Sequence, residues 1–595
     1  MKNKASTHLL ILLVIAVLAG LGHYAIHYSG LIRGYETSPY TAGRNLFLFV
    51  PLMAFVIYMS RFTRFAGNWT LYTTAILLFS LGLIGQYRLF SDPEYTSVGD
   101  KASARELKIE TLQLRYIKEN YSAEKKQLMG LPPTPPAPVD LSNETPRPAR
   151  EGLSDIIFSG RTLIPLFAFA CFLATYLLFK RDRVLDFFQN NGFLLVLLTL
   201  VPLMAAAVTS RSGKSIGNMT PWEMSKVPFL LGFAAILTIL YRNLAKTYWG
   251  LPHLRDVVPL VFMATIPFVP FLVLKDFGQM LVFSAVYAAL YLIAVKRLPQ
   301  RLVFVGSVLF LVAVLLVAAL PTRVQTNVPL LTTLAEPVKS VLPPRIHQRF
   351  HLWFDALNPP PADTFWWKDD LAEFYGREYK PEFIDKYPEL AELNRQINAL
   401  PEKDSRRRAL EKQLEKEVQM RVPDEINFLA DTDPDRLQAL NEEAWFAADA
   451  MQASRATFGI SSGGKTGRGL GLGFPELIPV SDSDYIYAAL GEETGLAGGL
   501  IIILALIVFV SAGLRTALDA RDMFSKLCAA GLTSFIGFQA LVNIGGITRA
   551  LPMTGITLPF VSHGGFSLIT SFVMLGMLLA ISHRNGVDAQ QIQQN

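Results

Sequence analysis

Long apolar runs dominate the chain and alternate with short polar loops. A helix that crosses a bilayer needs about 20 mostly apolar residues. Twelve runs qualify, near residues 8–28, 45–62, 70–88, 161–180, 192–209, 226–243, 257–274, 279–296, 302–320, 496–514, 525–546 and 565–582. The pattern predicts an all-α polytopic membrane protein. Because eleven runs follow the first and no small-residue cleavage site is evident, we expect the first to be an uncleaved helix rather than a signal peptide.

Basic residues predict the orientation of these spans, because Lys and Arg are enriched in cytoplasmic loops. With the N-terminus in the cytoplasm, the inner loops carry Arg61, Arg64, Lys180, Arg181, Arg183, Arg242, Lys246, Arg255, Lys296, Arg297, Arg301, Arg515, Arg521 and Lys526. We therefore expect both termini inside the cell and two large loops, 89–160 and 321–495, outside it.

The two outer loops differ in pattern. The first has an amphipathic helical segment and then a Pro-rich linker, residues 131–150, which together suit a passive spacer. The second has a charged, helical middle at 380–445 that Pro401 and Pro423 are expected to break.

Aromatic and histidine residues of the second loop are weak candidates for a binding or metal site. Trp366 and Trp367 could bind sugar, a partner or the bilayer surface, but a small hydrophobic core or an interfacial anchor is the simpler interpretation. His347 and His351 share a helix face without the Glu of a zinc protease motif, so we expect no metal there.

Composition agrees with a membrane protein. Of 595 residues, 51% are hydrophobic and 17% charged, against about 25% charged in soluble proteins. The net charge of +6 does not indicate nucleic-acid binding, because the basic residues lie in short loops. Cys171 and Cys528 both lie in apolar runs, which excludes a disulfide framework and a thiolate zinc site.

Four polar clusters lie at the predicted outer ends of spans, where ionisable groups are expensive and suggest function. The first, TPWEMSK, places Glu223 and Lys226 on one helix face, either as an ion pair or as part of a site. The second, KDFGQ, contains Asp276 and could be only a tight turn.

The third cluster, residues 461–495, is rich in glycine and then acidic. Its glycines let backbone approach a bulky ligand, and successive N–H groups can bind phosphate. The spacing is not that of a Walker loop, and the segment lies outside the cell, so we exclude nucleotide binding. Its acidic residues, Asp482, Asp484, Glu492 and Glu493, could hold a divalent cation or be hydrated loop charges.

The fourth cluster, residues 543–567, is called the signature loop below. It joins two spans with irregular backbone, which must be buried in protein or line a wet cavity. Its arginine, amide and backbone donors suit an anionic headgroup. A carboxylate nearby could act as general base on a sugar hydroxyl, and cations could stabilise a departing pyrophosphate. A lipid-linked sugar is the expected substrate. The candidate residues are Asn543, Arg549, Thr554, Ser562, Gly564 and Gly565.

The signature loop resembles that of the SEDS proteins (shape, elongation, division and sporulation). NIGGITRALPMTGITLPFVSHGGFS is similar to their N-x-G-x-x-x-G-x-x-P-x-T-G-x-x-L-P-F-x-S-x-G-G-S-S. TPWEMSK, KDFGQ and SDSDYIYAALGEETG resemble further family motifs in the same order. The resemblance covers about 70–582 and counts ten spans, so residues 1–69 are an added transmembrane hairpin. Phe566 replaces a family Ser, and Thr220 and Trp222 depart from Q-P-S-E, which marks a divergent member.

The resemblance implies polymerisation of lipid II into peptidoglycan glycan strands, with inversion and release of undecaprenyl pyrophosphate. Asp484 corresponds to the catalytic aspartate and would be the general base. Lys226 and Arg549 become candidates to bind pyrophosphate, and Glu223 matches the family motif with either a substrate or a structural role. The implied partner is a class B penicillin-binding protein, with other elongation or division factors open. No cofactor is certain.

These expectations divide the chain into four parts. They are the hairpin 1–69, a first bundle part 70–320 with its insert 89–160, a large loop 321–495 that carries Asp484, and the last three spans 496–595. Two alternatives stay open: a lipid-linked-sugar flippase, and a non-catalytic scaffold that recruits the transpeptidase. The scaffold predicts that Asp484 is dispensable.

Overall fold

The computed structural model describes the chain over the ranges 2–32, 37–63, 65–91, 159–211, 221–244, 247–248, 251–252, 276–295, 344–355, 358–364, 386–400, 405–447 and 450–594, with isolated positions between 258 and 384. The chain divides into two compact units. The first comprises Met1–Lys101, Asp140–Phe310 and Ala456–Asn595, and the second comprises Ala102–Val139 and Leu311–Arg455.

Helices make up nearly all of the described structure. In chain order they are α1 Lys2–Ile32, α2 Pro39–Phe47, α3 Phe49–Arg61, α4 Trp69–Ser91, α5 Gly160–Phe179, α6 Asp182–Asn190, α7 Gly192–Arg211, α8 Pro221–Leu244, α9 Phe277–Ala294, α10 Pro344–Asp355, α11 Pro388–Asn398, α12 Ser405–Thr432, α13 Pro434–Ala447, α14 Ala450–Gly463, α15 Ile486–Leu518, α16 Met523–Ile547 and α17 Gly565–Gln594. A short antiparallel ladder, Thr247–Tyr248 (β1) with Leu251–Pro252 (β2), interrupts them.

Eight described helices are long and apolar enough to cross a membrane: Ala5–Ile32, Pro39–Arg61, Trp69–Ser91, Gly160–Phe179, Pro221–Leu244, Ile486–Leu518, Met523–Ile547 and Gly565–Ile592. A ninth results if α6 and the following Gly192–Ala205, which meet at 78°, form one broken span. The prediction of an all-α polytopic membrane protein is confirmed. The predicted spans at 257–274 and 302–320 lie almost wholly outside the described residues, so the total of twelve stays a prediction.

Small residues allow close helix packing in the first unit. The pair α5 and α17 is in extensive contact, as are α7 and α8, and α15 and α16. A Cβ at Gly576 of α17 would lie 2.6 Å from the Phe172 carbonyl oxygen of α5, and one at Gly232 of α8 would lie 2.7 Å from the Gly192 carbonyl oxygen. Between membrane helices, van der Waals packing of this kind replaces the hydrophobic effect as the main attraction.

The N-terminal helices pack against α4 inside the first unit. The Tyr87 hydroxyl of α4 donates to Thr37 Oγ1 at 2.8 Å, and the Tyr87 ring lies 4.5 Å from that of His23 in α1. The amide nitrogen of Asn45 lies 2.9 Å from His23 Nε2. This buried polar network ties α1 and α2 to α4. The boundary at residue 69 itself stays a prediction.

Helices α11, α12 and α13 form a small core in the second unit from Leu390, Val418, Val422, Leu429 and Leu437. The expected break at Pro423 is wrong, because α12 continues through it. A proline removes one helical hydrogen bond, and packing of the apolar residues on both sides of it offsets that cost. The segment around Pro401 lies outside the described residues.

Trp367 belongs to a small hydrophobic core, which is one of the two simpler roles expected from the sequence. Its side chain is fully buried, and its indole Nε1 donates to Asn441 Oδ1 at 2.6 Å. Trp445 lies edge-on, 5.2 Å from it, and also contacts the ring of His351. His351 Nε2 lies 2.9 Å from the carbonyl oxygen of Asn358. Trp366 and the insert between residues 92 and 158 lie outside the described residues.

Candidate active site

Asp484 lies in a tight turn directly before α15. The turn starts at Val480, whose backbone is left-handed with a φ of 53°. The Val480 carbonyl accepts hydrogen bonds from the backbone N–H of Ser483 at 3.1 Å and of Tyr485 at 3.3 Å. A branched side chain in this conformation is strained, so the surrounding contacts must hold the turn in place.

The signature loop supplies those contacts by binding three consecutive carbonyls of the turn. The His563 N–H donates to Asp482 O at 2.8 Å, and the Ser562 hydroxyl donates to Ser483 O at 2.6 Å. The Asn543 amide donates to Asp484 O at 2.8 Å. Since these bonds use the backbone, they fix the position of Asp484 without engaging its carboxyl group.

Asn543 and Ser562 also shape the signature loop itself. The Asn543 amide donates a second bond to Ile556 O, and the Ser562 hydroxyl accepts from Leu558 N at 2.7 Å. The structure therefore gives these two predicted site residues a positioning geometry. Direct contact with substrate stays a prediction for both.

The Asp484 carboxyl group is in a setting that disfavours its charge. Burial and, after it, the nearby carboxylates of Asp482 and Asp276 together raise its pKa to about 6, against the opposing effect of a hydrogen bond from Ser483. A Cβ placed on Gly555 would lie 3.5 Å from Asp484 Oδ2, so the signature loop passes close to the carboxyl group. A general base works best when its pKa is near the operating pH.

The KDFGQ segment meets the signature loop at the start of α9. Asp276 is the N-cap of that helix, and its Oδ1 accepts from Gln279 N at 3.1 Å. Gly278 lies against Thr554, where an added Cβ would be 2.6 Å from the threonine Cβ. Thr554 thus packs on the N-terminus of α9, and Asp276 belongs to the charge environment of Asp484.

Glu223 and Lys226 form a buried ion pair in α8. The Lys226 Nζ lies 2.5 Å from Glu223 Oε1 and 2.6 Å from Gln539 Oε1, and both charged side chains are almost fully buried. Gln539 Nε2 in turn donates to Thr557 O at 3.0 Å in the signature loop. In this arrangement the ammonium group faces protein partners, so the predicted contact of Lys226 with pyrophosphate requires the pair to open.

The remaining predicted residues line the signature loop. Arg549 follows α16 with a left-handed backbone, φ 60°, and is half-buried. A Cβ at Gly564 would lie 3.2 Å from Thr557 Cγ2, and one at Gly565 would lie 3.1 Å from Ile164 Cδ1 in α5. The glycines serve close packing. A pyrophosphate contact by Arg549 stays a prediction.

The glycine-rich loop, defined here as residues 463–474, does not offer all of its N–H groups to a phosphate. Its N–H groups donate to protein acceptors: Gly467 N to Gly463 O at 2.8 Å, Arg468 N to Glu492 O at 3.1 Å and Gly469 N to Glu493 O at 2.9 Å. The glycines let this loop approach the start of α15, rather than a ligand. Sequence spacing could not reveal this, because two of the acceptors, Glu492 O and Glu493 O, come from the helix that follows.

The four acidic residues of the third cluster do not come together as one group. Glu492 and Glu493 lie in the contacts of the glycine-rich loop, whereas Asp482 and Asp484 lie at the signature loop. Across the described part of the chain, three or more His, Cys, Asp or Glu residues are nowhere grouped as metal ligands. A divalent cation at this site stays a prediction.

Gln539 is the site residue that the sequence analysis missed. It joins the buried ion pair to the signature loop, and Thr557 Oγ1 beyond it lies 2.7 Å from Ser567 Oγ. A signal was present, because Gln539 is a polar residue inside an apolar run. It precedes Asn543 by one helical turn, which puts both side chains on one face of α16.

Fold and site together define a polytopic membrane protein with a half-buried carboxyl group that is held through its backbone at the end of a span. A family model described as cell cycle protein, FTSW_RODA_SPOVE, matches residues 431–586. The peptidoglycan glycosyltransferase RodA of Mycobacterium tuberculosis is 43% identical over 132 residues, 22% of this chain and 28% of that protein. Stage V sporulation protein E of Bacillus subtilis is 39% identical over 134 residues, 22% of this chain and 37% of that protein.

The matched region thus spans about a third of the length of these relatives, or less. A crystal structure of a mutant of the rod shape determining protein RodA from Thermus thermophilus is similar over 87% of this chain and 98% of its own, with 15% identity and a TM-score of 0.39. The residues matched by the family model include Asp484 and the signature loop. Over residues 431–586 this chain is similar to cell cycle proteins of the RodA, FtsW and SpoVE type.

Proposed function

We propose that this protein polymerises lipid II into peptidoglycan glycan strands and releases undecaprenyl pyrophosphate. Relatives in the matched region carry the name peptidoglycan glycosyltransferase. The observation that carries the proposal for this chain is the Asp484 carboxyl group, held through its backbone by the signature loop and with its pKa raised to about 6.

Asp484 acts as the general base in this proposal. Its carboxylate takes the proton from the 4-hydroxyl of the acceptor GlcNAc as that oxygen attacks the anomeric carbon of the donor MurNAc. The bond from that carbon to the pyrophosphate oxygen breaks, and the electron pair leaves with undecaprenyl pyrophosphate. A single displacement from the opposite face inverts the anomeric configuration.

The leaving group carries negative charge and calls for cationic or hydrogen-bonding partners. Arg549 in the signature loop and Lys226 in α8 are the proposed partners, the second only after its pair with Glu223 opens. Asn543, Thr554, Ser562, Gly564 and Gly565 are proposed to shape the substrate surface of the loop rather than to carry charge. A divalent cation beside Asp484 would stabilise the negative charge of the same leaving group.

The proposed location is the cytoplasmic membrane of a bacterium, with both termini in the cytoplasm and the site on the outer face. The basic inner loops support this orientation. The proposed partner is a class B penicillin-binding protein that cross-links the new strands. Either insert, or the added N-terminal hairpin, would offer it a surface that differs from that of shorter relatives.

Asp484→Asn tests the catalytic assignment, because the amide keeps the size of the carboxyl group and cannot act as base. We expect purified wild-type protein with its class B partner to polymerise lipid II. The variant should polymerise lipid II at least about a hundredfold more slowly than the wild type, which is within the range usual for loss of a general base. Asp519→Asn is the matched control, since Asp519 is an exposed carboxylate at the opposite end of α15.

The outcomes separate the competing functions. Equal polymerisation by both proteins would contradict the role of Asp484 and keep the glycosyltransferase. Absence of polymer from the wild type, with a partner that cross-links normally, would favour the scaffold. Transfer of labelled lipid II across vesicles in the absence of polymer would favour the flippase.

A further inference from the structure

A buried ion cluster lies at the outer end of α4, apart from the groups used above. Arg88 is 1% exposed. Its Nε lies 2.7 Å from Glu493 Oε1, and one terminal nitrogen lies 3.1 Å from Glu476 Oε2 and 3.1 Å from the carbonyl oxygen of Gly473. One guanidinium group thus holds two carboxylates and a backbone oxygen.

Those carboxylates, with their neighbour Glu492, organise the glycine-rich loop. The second oxygen of Glu493 accepts from Gly471 N at 3.0 Å, and Glu492 Oε1 accepts from Phe474 N at 3.1 Å. A Cβ at Gly473 would lie 2.8 Å from Glu493 Cγ. The loop backbone therefore lies directly on the carboxylates that Arg88 neutralises.

The order of these residues along the chain links the cluster to the turn of Asp484. Glu476 precedes Asp484 and Glu493 follows it, so Arg88 contacts both ends of the segment that carries the proposed base. Arginine suits this task because its planar group donates several hydrogen bonds in fixed directions. A lysine ammonium at the same place could not reach all three acceptors with that geometry.

The added N-terminal helix α1 touches the same loop from another side. Ser29 Oγ donates to Leu470 O at 2.8 Å. A Cβ at Gly471 would lie 2.5 Å from the Ser29 Cβ, so only a glycine fits against the helix at this point. The loop is thus supported by α4 through charge and by α1 through close packing.

We propose that Arg88 is a positioning residue: it clamps the glycine-rich loop to the start of α15, with help from Ser29, and so holds Asp484 in its working position. The catalytic consequence rests on the proposed function, whereas the clamp itself does not. Arg88 touches no reacting atom in this proposal. It acts through the backbone on either side of Asp484.

Hydrogen exchange in the full-length protein in detergent tests the clamp without reference to activity. In Arg88→Gln and Arg88→Lys we expect amides of residues 467–474 to exchange at least about tenfold faster than in the wild type, because the acceptors that protect them are released. The peptides of α16 should be unchanged. Arg521→Gln is the matched control, since Arg521 is a half-exposed arginine paired with Asp588 at the end of the span remote from the loop.

Polymerisation of lipid II in the same variants tests the consequence. Arg88→Lys should lower kcat at least about tenfold with little change in KM, while Asp484→Asn should abolish the rate and leave loop protection at the wild-type level. If Arg88→Gln does not fold, Ser29→Ala is measured instead. In that variant we expect a smaller increase in the amide exchange rate, confined to residues 467–474.

Unchanged exchange of the loop in Arg88→Lys and Ser29→Ala would overturn the clamp. Faster exchange with an unchanged rate would overturn the positioning of Asp484 while keeping the clamp. An inactive wild type with a protected loop would count against the proposed function alone, since loop protection is measured without lipid II.

Discussion

Two groups of ionisable side chains lie around the signature loop, the Glu223–Lys226 pair buried and Asp484 half-buried, and they differ in how their charges are balanced. Lys226 has its counter-ion, Glu223, 2.5 Å away and an amide oxygen of Gln539 at 2.6 Å. Asp484 has the carboxylates of Asp482 and Asp276 nearby, and its firm contacts are made by its backbone. Among the described residues, Lys226 thus has a counter-ion, whereas the charged groups that act on Asp484 are like-charged carboxylates.

This difference indicates which of the two groups is suited to take part in a reaction. A buried ion pair with satisfied hydrogen bonds holds helices together, although its net contribution to stability is modest. A carboxyl group held by neutral donors beside like charges is poised to exchange a proton near neutral pH. The signature loop thus contacts a charge-compensated pair through Gln539 and passes close to a carboxyl group of raised pKa at Asp484.

The largest expected effect on stability comes from removing one charge of the Glu223–Lys226 pair. Lys226→Met leaves Glu223 buried without a counter-ion and should destabilise the protein by about 3–5 kcal/mol. Thermal unfolding in detergent measures this. The double variant Glu223→Leu, Lys226→Met removes both charges and should recover most of the loss.

Activity of that double variant then sharpens the comparison. If the pair is only structural, the stable double variant should polymerise lipid II at a rate near that of the wild type. A stable but inactive double variant would instead assign this pair a role at the substrate, as the proposed contact of Lys226 with the pyrophosphate requires.

A smaller effect follows from removing a like charge beside Asp484. The base must be ionised, so the polymerisation rate should fall as pH drops through about 6, the pKa of Asp484. Asp482→Asn removes a charge that raises this pKa. The acid limb of the pH–rate profile should therefore move to lower pH. An acid limb that stays in place would show that another group controls it.

The smallest effect is expected at Gly555, whose φ is 67° and which lies next to Asp484 Oδ2. Gly555→Ala should cost about 1 kcal/mol for the left-handed backbone and lower the rate a few-fold. Gly555→Asn should lose less stability, since asparagine tolerates this conformation. Gly43→Ala is the control, because nothing lies within 4 Å of a Cβ added there.

Much of the fold was predictable, because it depends on local pattern. Apolar runs of span length predicted the helices α4, α5, α8, α16 and α17, and the break at Pro423 was the error, since packing outweighed a local rule. The resemblance to the family motifs pointed to Asp484, Asn543 and Ser562. It did not show that the last two hold the backbone of the first.

The sequence by itself determined the class of protein, the apolar spans and the residues that could carry chemistry, because hydrophobic length and motif spacing are properties of neighbouring residues. Only the tertiary structure decided which charges are compensated. Arg88 and Glu493 are remote in sequence but 2.7 Å apart in space, and Lys226 meets Gln539 from another helix. The energy of a buried charge depends on its nearest partners, and only the packing of the helices selects those partners.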